Sequence, residues 1–302
     1  MTATDGKATK VGNWGRWGDD DERGALNLLT PDVVLQATQV CKTGKVYSLG
    51  LPIQANGVPL VPYRGVPMRL TLLNNSDDAM FAAMGGEGVG ANEDILVFAS
   101  HNESHMDALC HVHHQNTFYN GFSADTMHTH TGAQRCGIDK TPWVAGRAVL
   151  LDVGALHGDG GCPDGYKITA ADLEAAAARQ GVSVGAGDIV LLRTGWLGRF
   201  LADPNGASGA QPGIGFDAAN LLTQWDVAAI GADNSAIEVI PFDDDKFIGV
   251  HVLLLVQHGI PFFENLVLDE LVADGVSEAL IVVAPLRVTG GAGSPINPIV
   301  IA

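Results

Sequence analysis

Apolar residues recur along this chain in short runs broken by glycine- and proline-rich segments. That is the pattern of buried strands alternating with a few helices. Val46–Ile53, Met68–Leu73, Ile95–Ser100, Arg147–Val153, Asp188–Arg193, Val227–Ile230 and Ala279–Pro285 read as strands. Thr30-Pro31-Asp32 opens a helix: Thr caps it, Pro suits the first turn and Asp complements the dipole. That helix runs to about Cys41 and stops before Gly44. Ile168–Gln180 is an Ala-rich helix with Thr169 as its cap, and further helices are expected at Phe216–Trp225 and Lys246–His258. Ala202–Gly215 is rich in Gly, Pro and small residues and reads as a long surface loop. Apolar segments continue on both sides of it, so a single domain over residues 1–302 is expected. A β-rich start followed by β–α alternation makes the fold class mixed α/β.

Composition narrows the partners. Hydrophobic residues make up 46% and charged residues 17% of 302 positions, which excludes a disordered chain. Lys plus Arg is 17 and Asp plus Glu is 34, a formal charge of −17. That argues against nucleic acid and against anionic membranes. The longest apolar run, near Ile248–Phe263, carries His251, Gln257, His258 and Pro261 and falls short of the roughly 20 residues of a spanning helix. Met1–Trp17 is charged and has no apolar core, unlike a signal peptide. Cys41, Cys110, Cys136 and Cys162 form no C-x-x-C pair and read as reduced thiols. A cytoplasmic protein acting on a small molecule is the expectation.

The most informative stretch is His101–His114, which holds five of the ten histidines. Imidazole and carboxylate are ligands of Zn²⁺, Mn²⁺ and Fe²⁺. His101, His105, Asp107 and His111 are spaced by 4, 2 and 4, so an extended chain aims all four at one face. On a helix, His105 and Asp107 would diverge by about 200°. Full extension is excluded too. It would part His101 from His105 by roughly 13 Å, whereas ligands of one ion lie about 3–4 Å apart. The chain must fold back near Asn102–Ser104, at a strand end running into a loop after Ile95–Ser100. His113, His114, His128 and His130 read as loop residues outside the site.

His101-x-x-Ser104-His105-x-Asp107-x-x-x-His111 resembles the H-x-G-T-H-x-D-x-P-x-H motif of the cyclase family, which includes bacterial kynurenine formamidases and isatin hydrolases. The segment Asn13–Pro31 (NWGRWGDDDERGALNLLTP), Tyr119-Asn120-Gly121 and a late His251…Glu264-Asn265-Leu266 agree with its longer members. The resemblance implies a single mixed-sheet domain of swivelling β/β/α type, assembled as a homo-oligomer, a dimer or tetramer. Carried over by position, it makes His101, His105 and Asp107 metal ligands and His111 the proton-transferring histidine. His251 and Glu264 complete a second metal site or line the substrate pocket. This chain departs from the motif in three places. Asn102-Glu103 replaces x-Gly, which is costly if the turn needs a positive φ. Ser104 replaces Thr, and Leu109 replaces Pro.

The implied reaction is hydrolysis of a cyclic or aryl amide, isatin-like or N-formyl-aromatic, by a metal-activated water. Mn²⁺ and Zn²⁺ both suit the ligands; the absence of cysteine from the motif leans to the harder ion. Trp14, Trp17, Phe118 and Tyr119 are candidates to wall the pocket. The same residues admit a lactone hydrolase, a cyclase or dehydratase, or a non-catalytic metal- or ligand-binding protein. No G-x-x-x-x-G-K-[ST] loop is present. Gly85–Gly90 reads as a loop and a candidate lid.

Overall fold

The computed structural model describes residues 11–158, 160–206 and 208–302. The first ten residues of the Met1–Trp17 segment, and Ala207 of the Ala202–Gly215 loop, lie outside them.

Eleven strands and seven helices carry the argument. The strands are β1 Val46–Ser48, β2 Met68–Leu73, β3 Glu93–Val97, β4 His105–Asp107, β5 Val144–Asp152, β6 Ile189–Arg193, β7 Ala229–Ala232, β8 Phe262–Glu264, β9 Glu278–Val283, β10 Gly293–Pro295 and β11 Ile299–Ile301. The helices are α1 Pro31–Ala37, α2 Asp78–Ala83, α3 Ala170–Gln180, α4 Trp196–Ala202, α5 Phe216–Gln224, α6 Gly249–His251 and α7 Asp269–Ala273. Nine strands form one sheet in the order β1-β11-β9-β5-β6-β7-β8-β4-β10. Its centre, β5-β6-β7-β8, is parallel. Both flanks are antiparallel. This is the expected mixed-sheet α/β domain.

The central strands are apolar throughout because both faces are covered. Alternate residues part cleanly. Ala148, Leu150, Ile189 and Leu191 join one core with Met106 and Phe263. Val149, Leu151, Val190 and Leu192 join the other with Leu173, Leu222, Leu254 and Phe262, under α3, α5 and the segment after α6. Local chemistry sets the helix ends. Thr169 Oγ1 accepts from Asp172 N and the Asp172 carboxylate accepts from Thr169 N, a closed capping box. Thr30 caps α1 with Pro31 at its first position.

Several elements differ from expectation. The strand expected at Val46–Ile53 pairs only over Val46–Ser48. The helix expected at Lys246–His258 starts at Gly249 and widens into a π-turn over Val252–Gln257. Trp196–Ala202, just after β6, is helical. Gly85–Gly90 falls between α2 and β3, in the excursion that separates the two strands of a hairpin. Among the described residues that hairpin, β2 with β3, pairs with no other strand. Among the described residues no helix is long and apolar enough to cross a membrane.

Candidate active site

The site forms on the helix-covered face where β4 meets β8. Register brings its groups together. His105 pairs directly with Glu264, and Met106 with Phe263. Opposed residues share a face, so His105, Asp107 and Glu264 point to the α6 side, while Met106 and Phe263 enter the other core. The even spacing of His105 and Asp107 thus acts as anticipated. His101 lies in the turn before β4, and the chain does fold back: its ring centroid is 5.3 Å from that of His105. His111, from the turn after β4, stacks on His101 with centroids 3.9 Å apart. His251 arrives from α6.

Distances are those of a ligand cluster. His105 Nε2 lies 3.1 Å from Glu264 Oε2 and 3.7 Å from Asp107 Oδ1. His101 Nε2 lies 3.5 Å from Asp107 Oδ1, and His251 Nε2 lies 3.8 Å from Asp107 Oδ2. His101, Asp107 and His111 offer ligand atoms all within 4.8 Å of one another, and so do Asp107, His251 and Glu264. The two groups share Asp107. That carboxylate is only 1% exposed. Neither of its oxygens, nor Glu264 Oε1, has a hydrogen-bond partner among the described residues. A buried carboxylate without donors is costly unless a cation completes it. Imidazoles, carboxylates and orphaned oxygens together fit a divalent metal ion.

Outer partners orient the site side chains. His105 Nδ1 donates to Glu103 O at 2.8 Å, which turns Nε2 inward. His251 Nδ1 donates to Glu238 Oε1 at 2.5 Å, and Glu238 also accepts from Val250 N and His251 N. Asn265, in the left-handed region at φ 56°, donates through Nδ2 to Asn102 O and Glu103 O. Ser104 Oγ donates to Asn265 O. This clamp holds the fold-back turn against β8. Gly293 on β10 passes so close that a Cβ there would sit 2.3 Å from His101 Nε2. Ile237 and Ile248 hold positive φ, 58° and 44°, beside Glu238 and just ahead of α6. β-Branched residues rarely adopt that region, and strain of this kind collects at functional sites.

Electrostatics sort the groups. Burial pushes His101 and His111 down to about 3, so both are neutral and free to ligate. Burial raises Asp107, and Glu264 beside it raises it further. For Glu264, burial is outweighed by His105 and His251, which hold it at about 2. For His251, burial is outweighed by Glu238 and Glu264, which push it up to about 10.

A cavity of about 430 Å³ opens beside His101 and Asn102, lined by Leu60, Arg64, Trp196, Phe200, Gln211 and Asn265 among others. Trp196 and Phe200 lie 5.4 Å apart by ring centroid and form an aromatic wall.

The cyclase family model matches residues 32–239, more than half of the chain. This chain belongs to the cyclase family. A solved structure described as a novel cyclase is 32% identical with a TM-score of 0.87, covering 97% of this chain and 100% of that one. Isatin hydrolase A from Labrenzia aggregata is 18% identical with a TM-score of 0.62, over 85% of this chain and 93% of that one, a likeness of fold. Kynurenine formamidase of Bacillus mycoides (strain KBAB4) is 32% identical over 111 residues, 37% of this chain and 48% of that enzyme. The match therefore spans about half the length of that curated relative.

The six residues expected at the site, His101, His105, Asp107, His111, His251 and Glu264, lie together. The aromatic residues expected at the pocket do not. Phe118 and Tyr119 are buried in the main core, and Trp14 Nε1 donates to Val256 O. Their neighbours explain the motif they belong to. Asn120, at φ 60°, accepts from Gly15 N and donates to Gly18 O, Asp19 O and Asp21 O. Tyr119-Asn120-Gly121 thus ties down the Asn13–Pro31 segment. Glu103 is buried without a positive φ, so the loss of glycine there strains nothing. Glu238 escaped sequence reasoning. Its signal was a lone carboxylate between Ile237 and Val239-Ile240.

Proposed function

We propose that this cyclase hydrolyses the carbonyl–nitrogen bond of a small cyclic or aryl amide, isatin-like or N-formyl-aromatic, with Mn²⁺ or Zn²⁺ as cofactor. The observation that carries this reading is Asp107: two buried, partnerless carboxylate oxygens ringed by His101, His105 and His251. His101, His105 and Asp107 would hold the ion, and His251 and Glu264 would hold a second or line the substrate pocket. A divalent cation bound there would supply Lewis acidity, to a carbonyl oxygen and to a water whose pKa it would lower toward neutrality. His111 takes the proton from water and returns it to the leaving nitrogen. The aromatic wall of Trp196 and Phe200 seats a flat ring beside His101. Three buried free thiols, Cys110, Cys136 and Cys162, support a reducing compartment, the cytoplasm.

The test is a panel of isatin-like lactams, N-formyl aromatics and lactones, run with the wild type and with His111→Ala. The reading predicts turnover of an amide, and a loss of about 10²–10⁴-fold in kcat for the variant with its metal content unchanged. Turnover of lactones alone would move the chemistry to esters. No turnover of any member, with metal bound, would leave a binding protein.

A further inference from the structure

One cation of the Asn13–Pro31 segment is left without an anion. Arg23 follows Asp21 and Glu22, yet its Nε and Nη2 bond to neither. Asp21 accepts from Arg23 N, Gly24 N, Asn27 Nδ2 and the Tyr119 hydroxyl. Glu22 accepts from Arg135 Nη1 and Cys136 N. The Arg23 guanidinium lies over Trp143, 5.3 Å from a ring centroid. Its Nε and Nη2 are buried and meet no hydrogen-bond partner among the described residues. A buried guanidinium edge without an acceptor is as incomplete as the Asp107 carboxylate, with the opposite charge. A cavity of about 810 Å³ opens beside it, walled by Leu29, Pro31, Val34, Leu35 and Trp143 between the start of α1 and the start of β5. Small-molecule sites have volumes of roughly 300–1,000 Å³. Among the described residues Arg23 is the only charged one that lines this cavity, in a chain whose net charge is −17. No residue lines both this cavity and the cleft beside His101. Leu29 and Val34 pack on the core that Met106 enters, away from His105 and Asp107.

We propose that this cavity binds a small organic monocarboxylate, with its carboxylate on the Nε–Nη2 edge of Arg23 and its apolar body against Leu29, Val34, Leu35 and Trp143. Three features select that chemistry. First, the unpaired edge of Arg23 offers two parallel N–H donors, the fork that a carboxylate matches. Second, a dianion brings more charge than one guanidinium meets, and the walls add no second cation. Third, the walls are apolar, and Leu35 and Trp143 are exposed, so an apolar body gains burial that a bare inorganic anion does not. The Trp143 ring covers the guanidinium and is itself 40% exposed, so a turn of this one side chain opens the edge to the ligand.

Binding here is independent of the amide-hydrolysis reading, and its test needs no turnover. Titration calorimetry of the full chain is run with benzoate, octanoate and the neutral isostere benzamide, on the wild type and on Arg23→Gln. The proposal predicts saturable binding of benzoate or octanoate by the wild type. Arg23→Gln is expected to weaken it about 10–100-fold, the worth of hydrogen bonds to a charged group. Benzamide, which lacks the charge, is expected to bind the wild type about tenfold or more weakly than benzoate. The variant is expected to keep its cooperative melt and, on any amide that the wild type turns over, its kcat/KM. An acid that binds wild type and variant alike lies elsewhere and would overturn the proposal. Equal binding of benzamide, or no saturation by either acid at millimolar concentration, would do the same. A folded variant that loses kcat/KM would tie Arg23 to the reaction and also overturn it. Should the variant not fold, hydrogen exchange of the wild type decides. Benzoate is expected to slow exchange over residues 23–38 and 143–145. Protection there that follows protein concentration instead of benzoate would give the cavity to a second copy and overturn the proposal.

Discussion

At Asp107 two charged oxygens are buried with no donor to meet them. At Leu70 and Ile95, on the hairpin whose second strand ends just before His101, apolar side chains lie half exposed among the described residues. Each region breaks the rule that the other obeys. Buried polar atoms are normally paired, and large apolar patches are normally covered. Nearly everything between the two is ordinary: strands buried on both faces, capped helices, and carboxylates such as Asp233 held by Thr194 N, Thr194 Oγ1 and Gly195 N. The contrast teaches that incompleteness has a sign. Polar atoms lacking partners inside point to a small cation. Apolar side chains lacking cover outside point to a protein surface. The two meet at the cleft, since the root of the hairpin bonds to the backbone of the His101 turn.

That comparison can be sharpened from each side. On the polar side, Glu238 touches His251 and stands outside both groups of candidate ligands. Its carboxylate fixes the ring so that Nε2 faces Asp107 and Glu264. Glu238→Gln keeps the size and one acceptor but sets an NH₂ against backbone donors. Metal affinity is expected to fall about 10–100-fold, read by titration calorimetry with Mn²⁺. An unchanged affinity would remove Glu238 from the support of the site. On the apolar side, Arg69 and Asp94 form an exposed ion pair on the face opposite Leu70. Arg69→Ala is expected to change stability by about 0–1 kcal/mol, read from a thermal melt. A much larger loss would mean that the ion pair, rather than the ladder hydrogen bonds, holds the hairpin together.

Much of the site was legible because it is local. His101, His105, Asp107 and His111 lie within eleven residues, and a strand's two-residue period aligns His105 with Asp107. The Thr169 cap and the long buried strand β5 were legible for the same reason. What escaped depends on distant pairing. β4 and β8 have three residues each and exist because His105 meets Glu264 across a ladder. Glu238 acts through His251, thirteen residues away and on a helix. Trp196 and Phe200 reach the cleft because α4 packs against Leu51 and Val58, a contact between remote segments. The hairpin strand Met68–Leu73 was legible from its composition. Its exposure was not, because alternation shows which residues share a face and says nothing of what that face meets.

The central claim is that the orphaned carboxylate of Asp107 belongs to a bound cation. Elemental mass spectrometry on the purified wild type and on Asp107→Ala, each also after exposure to Mn²⁺ and Zn²⁺, tests it most directly. The account predicts one or two ions per wild-type chain and none retained by the variant, with turnover reduced to background. A wild type that takes up neither ion, or an Asp107→Ala variant that keeps its metal and its activity, would contradict it.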